Sequence, residues 1–346
     1  MKYRLYTTSH KAWDGMFKAI GLATKTIYLE MYILLDDVKA THDFLGLLQE
    51  KARAGLEIVI IADAYGSSTL SQKKIEDLRT SGIEFFYFSS LFRRTHRKLL
   101  IIDQNIAFLG GVNINEKIRG WHDLQIKISG RVVKSLLRSF AYIYKIVGGK
   151  KENILAYSRI PLKQKVKALI LDSFSTKSSK RKLNDHYLKV IFEAKESIKI
   201  VSPYLLPPRR LLAALHSAIS RGVKVKIIIP QDTDIKILNK VNYLNAYRLS
   251  AFGVKIYLSK EMNHAKVLLI DDNKGLIGSQ NLDILSFNFN IEAGVFFEQK
   301  QLVLDLKKVI DKWIQEANLF NKEMSKPSFT EKALIYILKI FYPIFF

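Results

Sequence analysis

Residues 96–113 read HRKLLIIDQNIAFLGGVN, and the rest of the chain is organised around this stretch. His96 and Lys98 stand two residues apart, and such positions point to the same face of an extended strand. The four residues that follow, 99–102, form an uninterrupted apolar run, which predicts a strand buried on both faces. The stretch therefore predicts a buried strand with a base and a cation at its start.

The residues after this strand complete a set of groups suited to a phosphate. Asp103 opens a predicted turn, and residues 106–109 predict a returning strand. Gly110 and Gly111 allow a close approach of the backbone to a ligand, and Asn113 adds a neutral amide. A base, a cation, glycines and an amide are the groups needed to hold and attack a phosphate.

The whole arrangement occurs a second time, with every counterpart at one constant offset further along the chain. The second copy consists of His264, Lys266, Asp271, Gly278, Ser279 and Asn281. Helix-type and strand-type patterns repeat at nearly the same offset over most of the chain, which indicates an internal duplication. Alternating helices and apolar strands with short links predict an α/β fold with mixed, mostly parallel sheets.

The doubled pattern resembles the phospholipase D superfamily. The resemblance implies two tandem repeats with mixed sheets flanked by helices, related by a pseudo-two-fold axis, with one active site at the seam. Two histidines facing one phosphate allow one to attack and the other to protonate the leaving alkoxide. By the resemblance His96 is the nucleophile and His264 the general acid, with Lys98 and Lys266 on the phosphate oxygens. The further phosphate-binding residues are Asn113, Asn281, Ser279, Gly110 and Gly278.

Four acidic residues receive roles from the same resemblance. Asp123 follows His96, and Glu292 follows His264, at nearly the same distance along the chain. An acidic residue at about this distance orients a catalytic histidine in the superfamily. Asp103 and Asp271, which belong to the catalytic motif, stand at strand ends and are expected to form structural ion pairs.

Glu30 lies inside the apolar stretch Thr26–Ile33, where a carboxylate is unfavourable unless it is paired or serves a site. A candidate site residue and a strand-end residue facing water are both open interpretations.

Several segments resemble bacterial cardiolipin synthases of the short type that lacks N-terminal membrane helices. They are Tyr28–Ile33 (YLEMYI), Arg97–Leu100 (RKLL), Trp121–Asp123 (WHD) and Asn281–Phe287 (NLDILSF), in which Leu285 replaces an expected arginine. The resemblance implies transfer of a phosphatidyl group between phospholipids through a phosphohistidine. Hydrolysis of phospholipid, or nuclease activity on the same scaffold, is the alternative.

Composition limits the partners without choosing among them. The 346 residues carry 55 Lys and Arg against 32 Asp and Glu, a net charge of +23, which attracts anionic membranes and nucleic acid alike. We expect an anionic phospholipid such as phosphatidylglycerol as the partner, at the cytoplasmic face of the membrane, with nucleic acid as the second candidate. Cys is absent, and the sequence suggests neither a metal site nor a cofactor.

The predicted domains are a first repeat at 1–150, a basic linker at 151–183, a second repeat at 184–322 and a C-terminal segment at 329–346. The end of that segment, 333–346, reads ALIYILKIFYPIFF; it carries a single charge and is too short to span a bilayer. It suits a helix lying in the membrane interface, and docking on the protein's own core is the other interpretation.

Overall fold

The structure is a computed structural model that describes residues 1–38, 40–90, 93–159, 168–172 and 182–322. The chain divides into two compact units, Met1–Ile170 and Leu171–Phe346. The predicted C-terminal segment, 329–346, lies outside the described residues, so its membrane role stays a prediction.

Seventeen strands and ten α-helices are described in these ranges. The strands are β1 (Lys2–Thr8), β2 (Thr26–Met31), β3 (Glu57–Asp63), β4 (Glu84–Phe88), β5 (Lys98–Ile102), β6 (Ile106–Gly110), β7 (His122–Ser129), β8 (Ala168–Asp172), β9 (Ser197–Val201), β10 (Leu205–Leu206), β11 (Lys224–Pro230), β12 (Lys255–Ser259), β13 (Val267–Ile270), β14 (Lys274–Gly278), β15 (Leu282–Asp283), β16 (Ala293–Phe297) and β17 (Asn318–Leu319). The helices are α1 (Ser9–Gly21), α2 (Phe44–Arg53), α3 (Gln72–Thr80), α4 (Val133–Ile146), α5 (Glu152–Leu155), α6 (Lys182–Phe192), α7 (Arg209–Ser220), α8 (Lys236–Ala251), α9 (Ile284–Asn288) and α10 (Lys300–Glu316).

The two large sheets share one strand order, which confirms the predicted α/β fold with mixed sheets built from two repeats. The expectation of mostly parallel sheets is wrong, because four of the six strand pairs in the first sheet are antiparallel. The first sheet runs β4-β3-β2-β5-β6-β7-β1, and the second runs β12-β11-β9-β13-β14-β16-β8 with β17 added beside β12. In each sheet the first three strands of that order are parallel, and the fourth joins them antiparallel. Strand β8, the counterpart of β1, lies within the range predicted as a linker, so this part of the range belongs to a sheet.

Helices cover both faces of the first sheet, which is why its central strands are mostly apolar. Alternate residues of β2 and β3 join Trp13, Met16 and Leu48 of α1 and α2 in one core. On the other face, Tyr28 stacks on Phe140 of α4 with ring centroids 5.1 Å apart. Residues 99–102 of β5 are fully buried, as the apolar run predicted.

The two motif aspartates hold turns at the far ends of the motif strands. Asp103 follows β5 and accepts hydrogen bonds from the backbone N–H groups of residues 24–26 at 2.7 to 3.0 Å. Asp271 follows β13 and accepts from the N–H groups of residues 195–197 at 2.8 to 2.9 Å. The expected ion pairs are therefore wrong: the carboxylates bind backbone amides, and each lies at the opposite end of its strand from the motif histidine.

The Asp103 carboxylate should contribute stability that depends on pH. Burial acts to raise its pKa, but the backbone hydrogen bonds outweigh burial and hold the pKa below its ordinary value. A lowered pKa in the folded state gives stability that is complete above the unfolded pKa and is lost as pH falls through the folded pKa.

We expect Asp103→Asn to lower the free energy of unfolding by about 1 to 3 kcal/mol at pH 7. Asparagine tolerates the left-handed φ of 47° at this position, so the change removes the charge and one of the two acceptor oxygens without straining the backbone. Urea denaturation from pH 7 to pH 2 should show the difference shrinking in acid. Glu76→Gln, on the exposed face of α3, is the control and should change little at either pH. A difference that is constant across pH would contradict this account.

Candidate active site

The first motif begins at the end of the first sheet where β2 and β3 finish and β5 starts. His96 is buried, and its ring meets the Tyr32 ring edge-on with centroids 4.7 Å apart. Lys98 is fully buried; its Nζ donates to the backbone carbonyl of His96 at 2.6 Å and lies 4.8 Å from the Tyr32 ring centroid. The Lys98 ammonium is thus fixed beside His96 by the backbone carbonyl of His96 and by the face of the Tyr32 ring.

The second motif has the same local geometry in the second unit. His264 and Lys266 are buried, and Lys266 Nζ donates to the backbone carbonyl of His264. In both units the lysine therefore turns back along the strand toward the histidine that precedes it by two residues. The spacing H-x-K supplies this arrangement because the two side chains share a face.

The two motif asparagines are buried but make different contacts. Asn113 Oδ1 accepts from the N–H of Ile33 at 3.2 Å, and its backbone carbonyl accepts from Trp13 Nε1 at 2.8 Å. The carbonyl end of its amide is thereby occupied, which turns the NH₂ group the other way. Asn281 Oδ1 is buried without a hydrogen-bond partner among the described residues. An acceptor in that position suits a ligand group that donates a hydrogen bond, such as a hydroxyl.

Two of the motif glycines are explained by strand packing. A Cβ added at Gly110 would lie 2.1 Å from the carbonyl oxygen of Leu124, and one at Gly278 would lie 2.5 Å from that of Ala293. Both glycines therefore let a neighbouring strand approach closely. Their predicted contact with phosphate stays a prediction.

The position after each of these glycines is Gly111 in the first unit and Ser279 in the second. It contacts the downstream acid, Asp123 or Glu292, in a different way in each unit. In the second unit Ser279 Oγ donates to Glu292, which also accepts from Ser286 Oγ at 2.8 Å. In the first unit the Asp123 carboxylate fills the space beside Gly111, where an added Cβ would lie 2.1 Å from Oδ1. All of these groups are buried. A contact of either acid with a histidine ring remains a prediction.

Gly111→Ala should displace the Asp123 carboxylate and so reduce activity by at least tenfold, because a group misplaced by about 1 Å can cost a hundredfold in rate. Gly120→Ala is the matched control, since a Cβ there meets nothing within 4 Å. Turnover and thermal melting of both variants provide the measurement. Equal activity in the two variants would show that Asp123 does not need its present position.

Glu30 is not at a strand end facing water, which decides between its two interpretations. It is fully buried and forms a bidentate ion pair with Arg97, whose Nε donates to Oε1 at 2.9 Å. Thr95 Oγ1 donates to the same carboxylate, and Arg97 also donates to Ser139 Oγ. In the sequence Arg97 is notable only as part of the RKLL segment. The sequence signal for this ion pair is an acid, Glu30, inside an apolar strand together with a cation, Arg97, next to the motif histidine.

Comparison with known proteins places the chain in a family. A family model described as "Cardiolipin synthase, PLD-like domain" matches residues 16–143 and 187–314, one match in each unit. The chain belongs to this family. The predicted superfamily and the duplication are both confirmed.

Individual cardiolipin synthases match over most of the chain. Cardiolipin synthase 1 of Staphylococcus epidermidis is 29% identical over 342 residues, covering 93% of this chain and 70% of that protein. Cardiolipin synthase B of Escherichia coli is 28% identical, covering 86% and 77%. The solved structure of phosphatidylserine synthase from Haemophilus influenzae matches with a TM-score of 0.78 at 17% identity, covering 99% of this chain and 94% of that chain, and supports the fold.

The one departure from the cardiolipin synthase pattern noted above has a structural explanation. Leu285 packs in a small apolar cluster with Leu206, Leu238 and Val241, where an arginine would bury a charge. The adjacent Asp283 caps α9 by accepting from the N–H of Ser286 at 2.7 Å, and burial raises the pKa of its carboxyl to about 6.

The described residues contain one group that could bind a metal ion: His10, Asp14 and His42, with ligand atoms within 4.8 Å of one another. None of these residues belongs to the motifs. Arg119 NH1 lies 3.4 Å from His10 Nδ1, and its charge opposes a cation there. No helix within the described ranges is long and apolar enough to cross a membrane.

Proposed function

We propose that the protein is a phosphatidyltransferase of the cardiolipin synthase type, which moves a phosphatidyl group between phospholipids. The observation that carries the proposal is the presence of two intact motifs with the same His–Lys geometry, one in each unit. A single motif supplies one histidine, whereas this chemistry needs a nucleophile and an acid. We infer that the reaction uses the histidines of both motifs.

The mechanism is a double displacement at phosphorus. His96 attacks the donor phosphate, a P–N bond forms, and the P–O bond to the leaving alcohol breaks as His264 gives that oxygen its proton. His264 then takes the proton of the acceptor hydroxyl, whose oxygen attacks phosphorus and releases His96. Lys98, Lys266 and the NH₂ group of Asn113 stabilise the phosphate charge during both steps. Ser279, whose hydroxyl donates to Glu292, acts on that carboxylate instead.

The acidic residues keep the histidines in the required protonation states. Asp123 and Glu292 would each accept a hydrogen bond from one imidazole, fixing its tautomer and stabilising its charged form. Because one imidazole must be neutral while the other is protonated, the rate should fall on both sides of an optimum pH.

A lipid substrate is favoured over nucleic acid by a cleft in the second unit. It has a volume of about 390 Å³ and is lined by Leu188, Ile284 and Phe287 together with Arg209 and Arg210. Apolar walls beside two guanidinium groups suit an acyl chain next to an anionic headgroup. The cleft also contains Asp185, so its charge is mixed. The proposed location is peripheral, at the cytoplasmic face of the membrane.

The test uses the full chain with vesicles of phosphatidylglycerol and identifies products by mass spectrometry. We expect cardiolipin and free glycerol in equal amounts, unaffected by EDTA. His264→Asn should reduce the rate by about 10²- to 10⁴-fold, the usual range for losing an acid–base group, and His96→Asn, which removes the nucleophile, by at least as much. Phosphatidic acid as the main product would instead indicate a hydrolase. Cleavage of DNA without any lipid product would overturn the proposal in favour of a nuclease.

A further inference from the structure

We propose that the buried Glu30–Arg97 ion pair is a positioning device for His96, and that it marks His96 as the nucleophile. This inference rests on the proposed function, because it concerns the phosphate-transfer step. Neither residue is placed at the substrate. Each acts through the backbone that carries the histidine.

The pair holds the two residues that flank His96. The Glu30 carboxylate accepts from Thr95 Oγ1 on one side of the histidine and from the Arg97 guanidinium on the other. All three residues are fully buried. A bidentate pair between fully buried side chains fixes geometry more strictly than a single contact does.

Backbone contacts restrain the same segment a second time. The N–H of Thr95 donates to Asp63 Oδ2 at 2.8 Å, at the end of β3. The N–H of Tyr32 donates to the carbonyl of Arg97 at 3.1 Å. The backbone around His96 is therefore held by hydrogen bonds to its neighbours on both sides.

The second unit has apolar or neutral residues at the corresponding positions. In the strand ladder of the first unit Glu30 lies opposite Leu99. The counterpart of Leu99 is Val267, which lies opposite Val201, so Val201 takes the place of Glu30 in the second unit. The same alignment gives Ala265 for Arg97, Pro230 for Asp63 and Asn263 for Thr95. The Asn263 Oδ1 atom accepts from the N–H of Ala265 at 3.2 Å, a contact without charge.

The comparison indicates what the ion pair is for. A buried ion pair contributes little net stability compared with well-packed apolar residues, and the second unit folds with Val201 and Ala265 in its place. The pair is therefore better explained by geometry than by stability. An attacking nitrogen must be aligned with the phosphorus–oxygen bond that breaks, so orientation matters most for the nucleophile.

The test replaces both charges together, since removing one would leave the other buried and unpaired. Glu30→Val combined with Arg97→Met copies the apolar character of the second unit while filling most of the volume. We expect a folded protein whose kcat for vesicle lipid falls on the order of 10- to 100-fold, the loss expected for a small misplacement, while KM changes less than about twofold. Arg97→Lys, which keeps the charge but loses the bidentate contact, should recover part of the kcat relative to the double variant.

The control is Leu48→Ala in the core between α2 and the sheet, which should lower the melting temperature but leave kcat near the wild-type value. The inference is overturned if the folded double variant keeps its kcat, if its loss appears mainly in KM, or if the Leu48→Ala variant loses as much. A double variant that does not fold would also overturn it, because that result would make the pair a requirement for stability.

A second readout separates this inference from the proposed function. The histidine ring signals of the ¹⁵N-labelled, substrate-free protein, with His96 assigned by the His96→Asn variant, report its orientation and tautomer. We expect the His96 signal to shift or broaden in the double variant and to be unchanged in Leu48→Ala. If the wild-type protein makes no lipid product, the proposed function fails, but this spectrum still decides the positioning role: an unchanged His96 signal would refute it.

Discussion

The first motif depends on one constraint: β5 pairs antiparallel with β2, which itself pairs parallel with β3. Because β5 runs against β2, its first residues lie at the edge where β2 and β3 end. Tyr32 and Asp63 follow or finish those strands and therefore stand next to the histidine segment. Strand β13 enters beside β9 in the same way and produces the second motif. A change of strand direction within a sheet thus creates the place where the reactive groups collect.

The two units share this frame but hold it together by different means. The first buries charges around its motif, in Glu30, Asp63 and Arg97, and the second has apolar or neutral residues at those positions. The difference reverses further along the chain, where Ser279 and Ser286 hydrogen-bond Glu292 but Gly111 only leaves room for Asp123. The two repeats thus share a strand arrangement but surround their motif histidines with different residues. This difference suits a reaction in which the two histidines have different tasks.

Much of the fold could be predicted because the relevant signals are local. The apolar runs after His96 and His264 are sufficient to predict the central strands of the sheets. The constant offset between the two motifs is sufficient to predict the duplication. The ladders also show that Asp123 and Glu292 are equivalent positions of the two repeats. Gly110 lies opposite Gln125 and its counterpart Gly278 lies opposite Gly294, and each acid stands two residues before that opposite residue. The sequence did not predict the partners of Asp103 or of Glu30. Backbone N–H groups have no sequence signature, and the Glu30–Arg97 contact joins residues 67 positions apart.

Catalysis by the proposed mechanism depends on a covalent bond between phosphorus and His96. The most direct measurement is the intact mass of the chain, denatured at alkaline pH during turnover of a phosphodiester with a good leaving group. Such a substrate needs no acid in the first step, so the His264→Asn variant should accumulate one adduct per chain, located on His96. Two adducts per chain, or an adduct that persists in His96→Asn, would contradict the account.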